Sequence, residues 1–359
     1  MLGETTTGST DMPALTANEQ AAVGVAQAVL RNALANTNGT HLSWVRSYTA
    51  SNGWALAADA LRLLVSLITA MRPQHILEFG SGTSTQIMAR ACDELQLSCG
   101  ITSIDHDPQY GVLAAQAFTA QPDSRCRVRF QIAPLVARDH GGKFLPTYHL
   151  DADGLASTQA VDLILIDGPP IMLGGREGAL YQAMAFARAG TIVLLDDAKR
   201  AAEQAALANW QHTLGEAVEV HVLPGFIKGL AAIIVHCPVV GADLALHRLN
   251  AVTEELLALI PTAHRYILVG EAWWGDTAPV DRDVIPFLER DGQYWGPPAD
   301  DATAIAEFKR LYDQGADFIV FRWTSFWWLD FYAAFRRHLE TEFSCMVQND
   351  RLIVFDLRR

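Results

Sequence analysis

Residues 75–107 read HILEFGSGTSTQIMARACDELQLSCGITSIDHD, and this stretch decides the fold class. A hydrophobic strand over 75–79 leads into a glycine-rich turn and an amphipathic helix, and a second strand over 101–105 ends in acid. This order is half of a nucleotide-binding βαβ unit, in which Gly80 and Gly82 allow the backbone to approach a ligand closely. The stretch therefore predicts a parallel α/β sheet with a ligand site at the turn.

The acids beside this turn indicate the kind of ligand. Glu78 stands two residues before Gly80, and Asp105 ends the next strand. Thr85 occupies the place where a dinucleotide fingerprint has its third glycine or alanine, so the turn matches NAD weakly. Hydroxyl acceptors and a carboxylate near a cation suit S-adenosylmethionine (SAM), which carries a ribose diol, an ammonium and a sulfonium. We therefore expect SAM rather than a dinucleotide.

Alternating strands and helices extend this unit into one sheet. Further strands are predicted at 128–132, 161–166, 191–195, 218–223 and 230–235, and helices at 18–36, 55–71 and 176–188. The last two strands flank a Gly225–Gly229 turn and predict a terminal antiparallel hairpin. We expect an open, doubly wound Rossmann-like α/β sheet over residues 18–240. A loop containing Gly141 and Gly142 is of the kind that can cover a site.

The remaining segments frame this domain. Residues 1–17, rich in Thr, Gly and Ser, are interpreted as a disordered lead-in. Pro238–Gly241 predicts a boundary, beyond which residues 241–359 form a second, smaller α/β domain. Its helices are predicted at 242–260, 300–314 and 330–342, its strands at 266–270 and 317–321, and a hairpin at Asn349-Asp350.

The composition argues against a nucleic-acid partner and indicates a cellular compartment. The net charge of −13 argues against nucleic acid, because phosphate backbones are bound by Lys and Arg. Five scattered cysteines without metal-ligand spacing indicate a reducing compartment. The sequence has no basic-then-apolar leader and no apolar run of membrane-spanning length, so a cytoplasmic location is expected.

Acids follow the strands of the predicted sheet at the ends where ligands bind in open α/β folds. They are Glu78, Asp105, Asp167, Asp196 and Asp197. A single acid at a strand end is commonly a helix cap, but five along one edge favour a site.

At this point the sequence resembles the class I SAM-dependent methyltransferases. Within them it is most similar to the metal-dependent O-methyltransferases that act on catechols, caffeoyl-CoA and macrolide sugars. The resemblance covers residues 50–237 and is carried by LEFGSGTST, SIDHDPQY, LILIDGPP and GTIVLLDD. It also suggests a homodimer.

The resemblance implies a role for each matching residue. Gly80, Ser81, Gly82 and Thr83 would lie against the methionine portion of SAM, which Glu78 would anchor. Asp105 would accept both ribose hydroxyls, and His106, Ala133 and Pro134 would border the adenine.

The same resemblance implies a metal site formed by Asp167, Asp196 and Asp197. Three oxygen ligands suit Mg²⁺ or a similar divalent cation, which lowers the pKa of an acceptor hydroxyl and fixes its oxygen. The alternative is that Asp167 merely lies near the transferred methyl group and Asp196 caps a helix.

One departure concerns the general base. Catechol-type enzymes carry a lysine three residues beyond the first ligand, where this chain has Pro170. Asp167, Lys199, His140 and His149 are the candidate substitutes, and the sequence does not choose among them.

The C-terminal third holds six of the nine tryptophans: Trp273, Trp274, Trp295, Trp323, Trp327 and Trp328. Aromatic faces beside polar side chains suit sugar rings, although large aromatics also fill small cores. The segments DGQYWGPPADDATAI, GADFIVF, FWWLDFY and VFDL resemble a domain appended to bacterial polysaccharide-assembly proteins, including glycosyltransferases. This resemblance points to glycans and to association with such enzymes.

We therefore expect a SAM-dependent O-methyltransferase that modifies a hydroxyl of a sugar or glycan intermediate with a divalent metal. One alternative is a small-molecule acceptor such as a phenol. Another is a glycan-binding or scaffold protein whose methyltransferase domain has lost activity. A dehydrogenase is disfavoured by Thr85 and by the acids after the fourth and fifth strands.

Overall fold

The computed structural model describes residues 15–37, 44, 55–118, 123–150, 160–270 and 282–358. The chain forms two compact units. The first comprises residues 1–140 and 144–244, and the second comprises 141–143 and 245–359. Trp273, Trp274 and residues 1–14 of the predicted lead-in lie outside the described residues, and Ala17 already begins a helix.

The first unit alternates strands and helices. Its helices are α1 (Ala17–Ala35), α2 (Ala58–Met71), α3 (Thr83–Glu94), α4 (Pro108–Ala117), α5 (Glu177–Ala183) and α6 (Ala201–Leu214). Its strands are β1 (His75–Phe79), β2 (Gly100–Asp105), β3 (Arg127–Ile132), β4 (Leu135–Asp139), β5 (Phe144–Tyr148), β6 (Leu163–Ile166), β7 (Ile192–Asp196), β8 (Val218–Leu223) and β9 (Leu230–Val235).

Seven of these strands form the main sheet in the order β3-β2-β1-β6-β7-β9-β8. Within this sheet the five neighbouring strands β3, β2, β1, β6 and β7 are parallel, and β9 runs antiparallel to both β7 and β8. The predicted doubly wound α/β sheet with a terminal antiparallel hairpin is therefore confirmed.

Hydrophobic side chains cover both faces of this sheet, as expected when helices pack on both sides. On one face Ile76 and Leu165 pack with α1, α2 and α3. On the other face Leu77 and Ile166 pack with α5 and α6, around the fully buried Trp210. Because side chains alternate along a strand, neighbouring residues of β1 supply opposite cores.

Local signals explain where the helices begin. Thr16 and Glu19 form a reciprocal capping box at α1. At α4 the Asp107 side chain accepts hydrogen bonds from the N–H groups of Gln109 and Tyr110, and Pro108 occupies the first helical position. The second cap places α4 directly after the acid that ends β2.

Two parts of the first unit differ from the sequence prediction. The segment expected as a glycine loop is a hairpin of β4 and β5, with registers running from Leu135 opposite Tyr148 to Asp139 opposite Phe144. The chain reverses at Gly141 and Gly142, which both have positive φ. The helix expected over 176–188 ends at Ala183, where short turns replace it.

The helices of the second unit are α7 (Ala242–Leu259), α8 (Asp301–Asp313), α9 (Trp327–Phe331) and α10 (Ala333–Glu342), and its strands are β10 (Arg265–Val269), β11 (Asp283–Phe287), β12 (Glu289–Arg290), β13 (Gln293–Tyr294), β14 (Phe318–Arg322), β15 (Ser344–Gln348) and β16 (Leu352–Asp356). Five of these strands form a sheet with the order β11-β10-β14-β16-β15. The predicted second α/β domain is confirmed. Strand β11 was missed because Pro286 interrupts its pattern, which an edge strand tolerates.

The tryptophans of this unit divide into core and surface residues. Trp328 is 1% exposed and packs against Phe287 and Tyr332. Its neighbour Trp327 is 50% exposed, and Trp295 lies on the surface with Arg290 stacked on its ring. The aromatic-rich segments therefore serve both as core and as exposed surface.

Within the residues that the structure describes, no helix combines the length and apolar character that crossing a membrane requires.

The two adjacent tryptophans allow a matched stability test. We expect Trp328→Ala to lower the free energy of unfolding by about 3–5 kcal/mol, because it empties a closed core position. Trp327→Ala should cost about 1 kcal/mol or less, since half of that side chain already contacts solvent. Urea unfolding of the full chain, followed by circular dichroism, measures both; equal losses would contradict this division.

Candidate cofactor and metal site at the carboxyl ends of the strands

The candidate site lies where the strand order of the first unit reverses. The chain runs outward from β1 through β2 to β3 and then returns to place β6 on the other side of β1. In open parallel sheets, ligands bind in the crevice beyond the carboxyl ends of the two strands at this switch point.

The backbones after β1 and β6 meet at this crevice. A Cβ atom on Gly80 would lie 3.0 Å from the carbonyl carbon of Asp167 and 3.1 Å from the nitrogen of Gly168. Gly80 also has φ +102°, a conformation that side chains disfavour. Only glycine therefore allows the turn to pass so close to the end of β6.

Glu78 stabilises the glycine turn through side-chain hydrogen bonds to residues on either side of it. It is fully buried, and its oxygens accept hydrogen bonds from the hydroxyls of Ser84, Thr85 and Ser103, the last at 2.6 Å. Burial raises the pKa of the Glu78 carboxyl to about 7, although the three hydroxyls oppose this shift. This carboxyl ties β1 and β2 to the first turn of α3.

Asp105 ends β2 beside the same turn. Its carboxylate accepts hydrogen bonds from the backbone N–H of Ser81 at 2.8 Å and of Asp107 at 2.9 Å, and His106 Nδ1 lies 3.3 Å away. Burial raises the pKa of Asp105, and the two N–H donors oppose the rise. Each oxygen retains a lone pair for a further donor.

The other residues predicted to bind the cofactor lie around this pair. Gly82 is the N-cap residue of α3 and Thr83 begins the helix; the N–H of Gly82 donates to Thr85 Oγ1 at 3.2 Å. Ala133 is buried after β3, where its N–H donates to the carbonyl of Asp105 at 2.8 Å. Pro134 is exposed next to it. The sheet thus brings the predicted turn, the β2 acid and the end of β3 to one edge.

Asp167, Asp196 and Asp197 also come together at this edge. Oxygens from the three carboxylates lie within 4.8 Å of one another. Asp167 follows β6, Asp196 ends the adjacent β7, and Asp197 has φ +60° where the chain leaves that strand. Parallel pairing of β6 with β7 therefore creates the acidic cluster that the sequence predicted.

Arg176 lies inside this cluster and was not predicted. Its Nη2 donates to Asp167 Oδ1 at 3.1 Å and to Asp197 Oδ2 at 2.7 Å, while Nη1 donates to the carbonyl of Asp196 at 2.6 Å. The guanidinium is buried, and Glu203 lies 3.9 Å from its Nε. The carboxylates raise the pKa of Arg176 against the effect of burial, so it stays charged.

Asp196 is the least satisfied member of the cluster. It is 1% exposed, and neither of its carboxylate oxygens has a hydrogen-bond partner among the described residues. Burial and the adjacent Asp197 raise the pKa of Asp196 to about 6. Burial also raises the pKa of Asp167 well above its usual range, with Asp196 and Asp197 contributing and Arg176 opposing.

The candidate bases are distributed differently. Lys199 is exposed, and its ammonium donates to the carbonyls of Phe226 at 2.7 Å and Ile227 at 3.2 Å rather than to an acid. His140 stacks on Tyr181, and burial lowers its pKa. His149 lies on the surface with its Nδ1 3.3 Å from Arg138. Of the candidates, Asp167 is the one that the described structure places in the cluster.

Sequence reasoning missed a second residue, Tyr148. It ends β5, is fully buried, and stacks on Phe79 with ring centroids 5.1 Å apart. The sequence pattern predicts a loop in place of the hairpin that carries Tyr148, so it does not point to this side chain. Arg176 had a weak signal, because it follows the Gly174–Gly175 pair that turns the chain back after DGPP.

A cavity of about 480 Å³ lies elsewhere in the first unit. Its walls include Gln74 and Asp162, which directly precede β1 and β6, together with Ala26 of α1 and Met71 at the end of α2. It is therefore at the opposite edge of the sheet from the acids and is not part of the candidate site.

The two arginines that pair with Asp197 allow a test of which cation neutralises the acidic cluster. Arg176→Met should lower the free energy of unfolding by about 3–5 kcal/mol, because it leaves buried carboxylates without their cation. Arg200 also contacts Asp197 at 2.8 Å but is 44% exposed, so Arg200→Met should cost about 1 kcal/mol or less. Urea unfolding in the presence of EDTA compares the two, and a similar cost for both would show that Arg176 does not neutralise the cluster.

No family model and no curated protein matches the chain. Among solved structures, it is similar to the S-adenosylhomocysteine-bound methyltransferase PaMTH1 of Podospora anserina, with 17% identity, coverage of 62% of this chain and 98% of that one, and a TM-score of 0.37. A putative caffeoyl-CoA O-methyltransferase from Staphylococcus aureus has 14% identity, 61% and 100% coverage, and a TM-score of 0.36. The TDP-rhamnose 3'-O-methyltransferase CalS11 of calicheamicin biosynthesis has 14% identity, 58% and 93% coverage, and a TM-score of 0.34. Because these scores are low, the proposals below rest on the residues of this chain.

Proposed function

We propose that this protein is a SAM-dependent O-methyltransferase that modifies a hydroxyl group of a sugar or glycan intermediate with the help of a divalent cation. The observation that carries the proposal is the position of Asp105, whose carboxylate is held by the N–H of Ser81 at the glycine turn. This arrangement supports the proposal, because a carboxylate that can accept hydroxyl donors lies beside a glycine turn.

In this proposal each residue at the edge has a separate task. Asp105 accepts the ribose hydroxyls, and the turn from Gly80 to Thr83 lies against the methionine portion. His106, Ala133 and Pro134 border the adenine. Glu78 acts indirectly, because its oxygens are engaged by three hydroxyls and hold the turn in place.

The acidic cluster fits a hard divalent cation such as Mg²⁺. All donors are carboxylate oxygens, and Asp196 presents two buried oxygens that lack partners among the described residues. Arg176 engages one oxygen each of Asp167 and Asp197 and leaves their second oxygens for an ion. We propose that Asp196 is the principal ligand and that Asp167 and Asp197 complete the set.

In methyl transfer the protein must mainly hold the acceptor oxygen in line with the methyl group of SAM. The acceptor oxygen attacks the methyl carbon as the methyl–sulfur bond breaks, S-adenosylhomocysteine leaves, and the hydroxyl proton passes to a base. A bound cation would lower the pKa of that hydroxyl. Asp167 is the candidate base at this edge, but as a ligand it gives one oxygen to Arg176 and the other to the cation, so we propose that water takes the proton.

The second unit is proposed to recognise the glycan or to associate with polysaccharide-assembly enzymes. Trp295, Trp327 and Phe331 expose aromatic faces in that unit. Such faces suit the apolar C–H surface of a sugar ring.

Calorimetric titration of SAM and of S-adenosylhomocysteine tests the cofactor assignment. We expect micromolar binding of both ligands to the wild-type chain, and a loss of at least about tenfold in Asp105→Ala, because a buried carboxylate bond to hydroxyls is removed. Asp107→Ala is the control, since it removes only the α4 cap and keeps the backbone N–H that donates to Asp105. Absence of binding to the wild type would contradict the proposal and leave a glycan-binding or scaffold role.

Metal removal tests the cation independently of turnover. Mg²⁺ at about 100 times its dissociation constant should stabilise the wild type by about 2.7 kcal/mol, and EDTA should reverse this gain. Asp196→Asn should abolish the gain and yet stabilise the ion-free protein, because it removes a buried negative charge that Asp197 repels. Equal stabilisation of variant and wild type by Mg²⁺ would exclude Asp196 as a ligand.

A further inference from the structure

The cavity of about 480 Å³ in the first unit lies at the edge of the main sheet where the parallel strands begin. Its walls are one face of α1, the end of α2, and the segments that precede β1, β6 and β7. Val25 on its wall is 63% exposed, so the space is open to solvent. A ligand can therefore reach it, and its volume falls within the range of small-molecule pockets, about 300–1,000 Å³.

Small apolar side chains leave this space open. Helix α1 lines it with a stripe at helical spacing: Ala22, Val25, Ala26 and Val29. A Cβ atom on Gly190 would lie 2.8 Å from the carbonyl oxygen of Ala22, so α1 and the turn before β7 touch at one end of the stripe. Beside this contact, alanine and valine do not fill the gap. This wall therefore offers apolar surface and no side-chain hydrogen bond.

The charges on the other wall are unequal. Arg72 and Arg188 both line the cavity, and Asp162 is the one acidic side chain among its described lining residues. The Asp162 carboxylate is already engaged: Oδ2 accepts from the N–H groups of Gln74 at 2.7 Å and His75 at 3.1 Å, and Oδ1 accepts from Arg188. Two guanidiniums against one satisfied carboxylate leave a net positive charge, which favours an anionic ligand.

Both guanidiniums retain donors for such a ligand. Arg72 Nη2 donates to the carbonyl of Leu95 at 3.1 Å, and Arg188 Nη2 donates to Asp162. Each guanidinium has five N–H groups, and the Arg188 side chain is 60% exposed. The chain as a whole carries a net charge of −13, so the positive wall is a local feature. An arginine fork matches the geometry of a carboxylate.

We propose that this cavity is a second ligand site, which binds a small amphipathic carboxylate with its acid group on Arg72 and Arg188 and its apolar body on the α1 stripe. The site shares no residue with the cofactor and metal site at the opposite edge of the sheet. The inference is therefore independent of the proposed function.

Calorimetric titration of the wild-type chain with octanoate, octylammonium and acetate tests the two halves of the ligand. We expect octanoate to bind with a dissociation constant below about 1 mM, because its chain covers the apolar stripe. Octylammonium has the same chain and the opposite charge, and should bind at least about tenfold more weakly. Acetate has the acid group without the chain and should show no detectable binding.

Substitutions at Val25 locate the bound octanoate without disturbing the core, because this side chain is exposed. Val25→Glu should raise the dissociation constant at least about fivefold by placing a like charge on the wall, whereas Val25→Lys should leave it within about twofold. Arg188→Met should also raise it at least about fivefold. Arg90→Met is the matched control, since Arg90 is an exposed arginine paired with Glu94 and is not among the cavity-lining residues.

Three results would each overturn the inference: no binding of octanoate, equal binding of octylammonium, or equal affinity of the Val25→Glu and wild-type chains. Displacement of octanoate by S-adenosylhomocysteine would also overturn it, because the two ligands would then share the crevice at the other edge of the sheet. Octanoate binding in a chain that binds neither SAM nor S-adenosylhomocysteine would support this site while the proposed function fails.

Discussion

The contact between the backbones of Gly80 and Gly168 is the constraint on which the rest of the site depends. Strands β1 and β6 are hydrogen-bonded neighbours, so their carboxyl ends must turn away from each other within very little space. Glycine at both positions removes the side chains that would separate these turns. The carboxylates that follow the strands then face one crevice rather than diverging. Packing on the two faces of the sheet fixes the strands, and the close approach of Gly80 and Gly168 brings the residues that follow β1 and β6 together.

The acids at this edge are stabilised in two different ways. Glu78 lies deepest and is satisfied by three hydroxyls of the chain itself, so it needs no ligand. Asp196 is equally buried but has no such donors among the described residues, and Arg176 bonds its backbone carbonyl rather than its carboxylate. Both residues are buried acids near the carboxyl ends of parallel strands. Their hydrogen-bond partners therefore distinguish an acid that stabilises the fold from the acid that we propose as a metal ligand.

The sequence was sufficient for what depends on periodicity and strand ends. Apolar runs located β6 and β7, and parallel pairing then required Asp167 and Asp196 to meet. It was insufficient where contacts join distant segments. Alternation in the hairpin before Tyr148 was weak beside its glycine pair, and Pro286 concealed an edge strand. The Gly174–Gly175 turn is only a weak signal that Arg176 folds back onto acids that precede and follow it in the chain.

Unsatisfied groups at one edge have an energetic consequence for the ligand-free protein. Among the described residues, neither the Tyr148 hydroxyl nor the Asp196 carboxylate has a hydrogen-bond partner, and burying such a group lowers the stability of the fold. Their placement on rigid strands means that ligands need not order them on binding. A ligand that forms the missing hydrogen bond or ion contact therefore binds more tightly, because the protein group is already desolvated and held in position. We therefore expect the proposed cofactor and the proposed cation each to raise the free energy of unfolding when they bind.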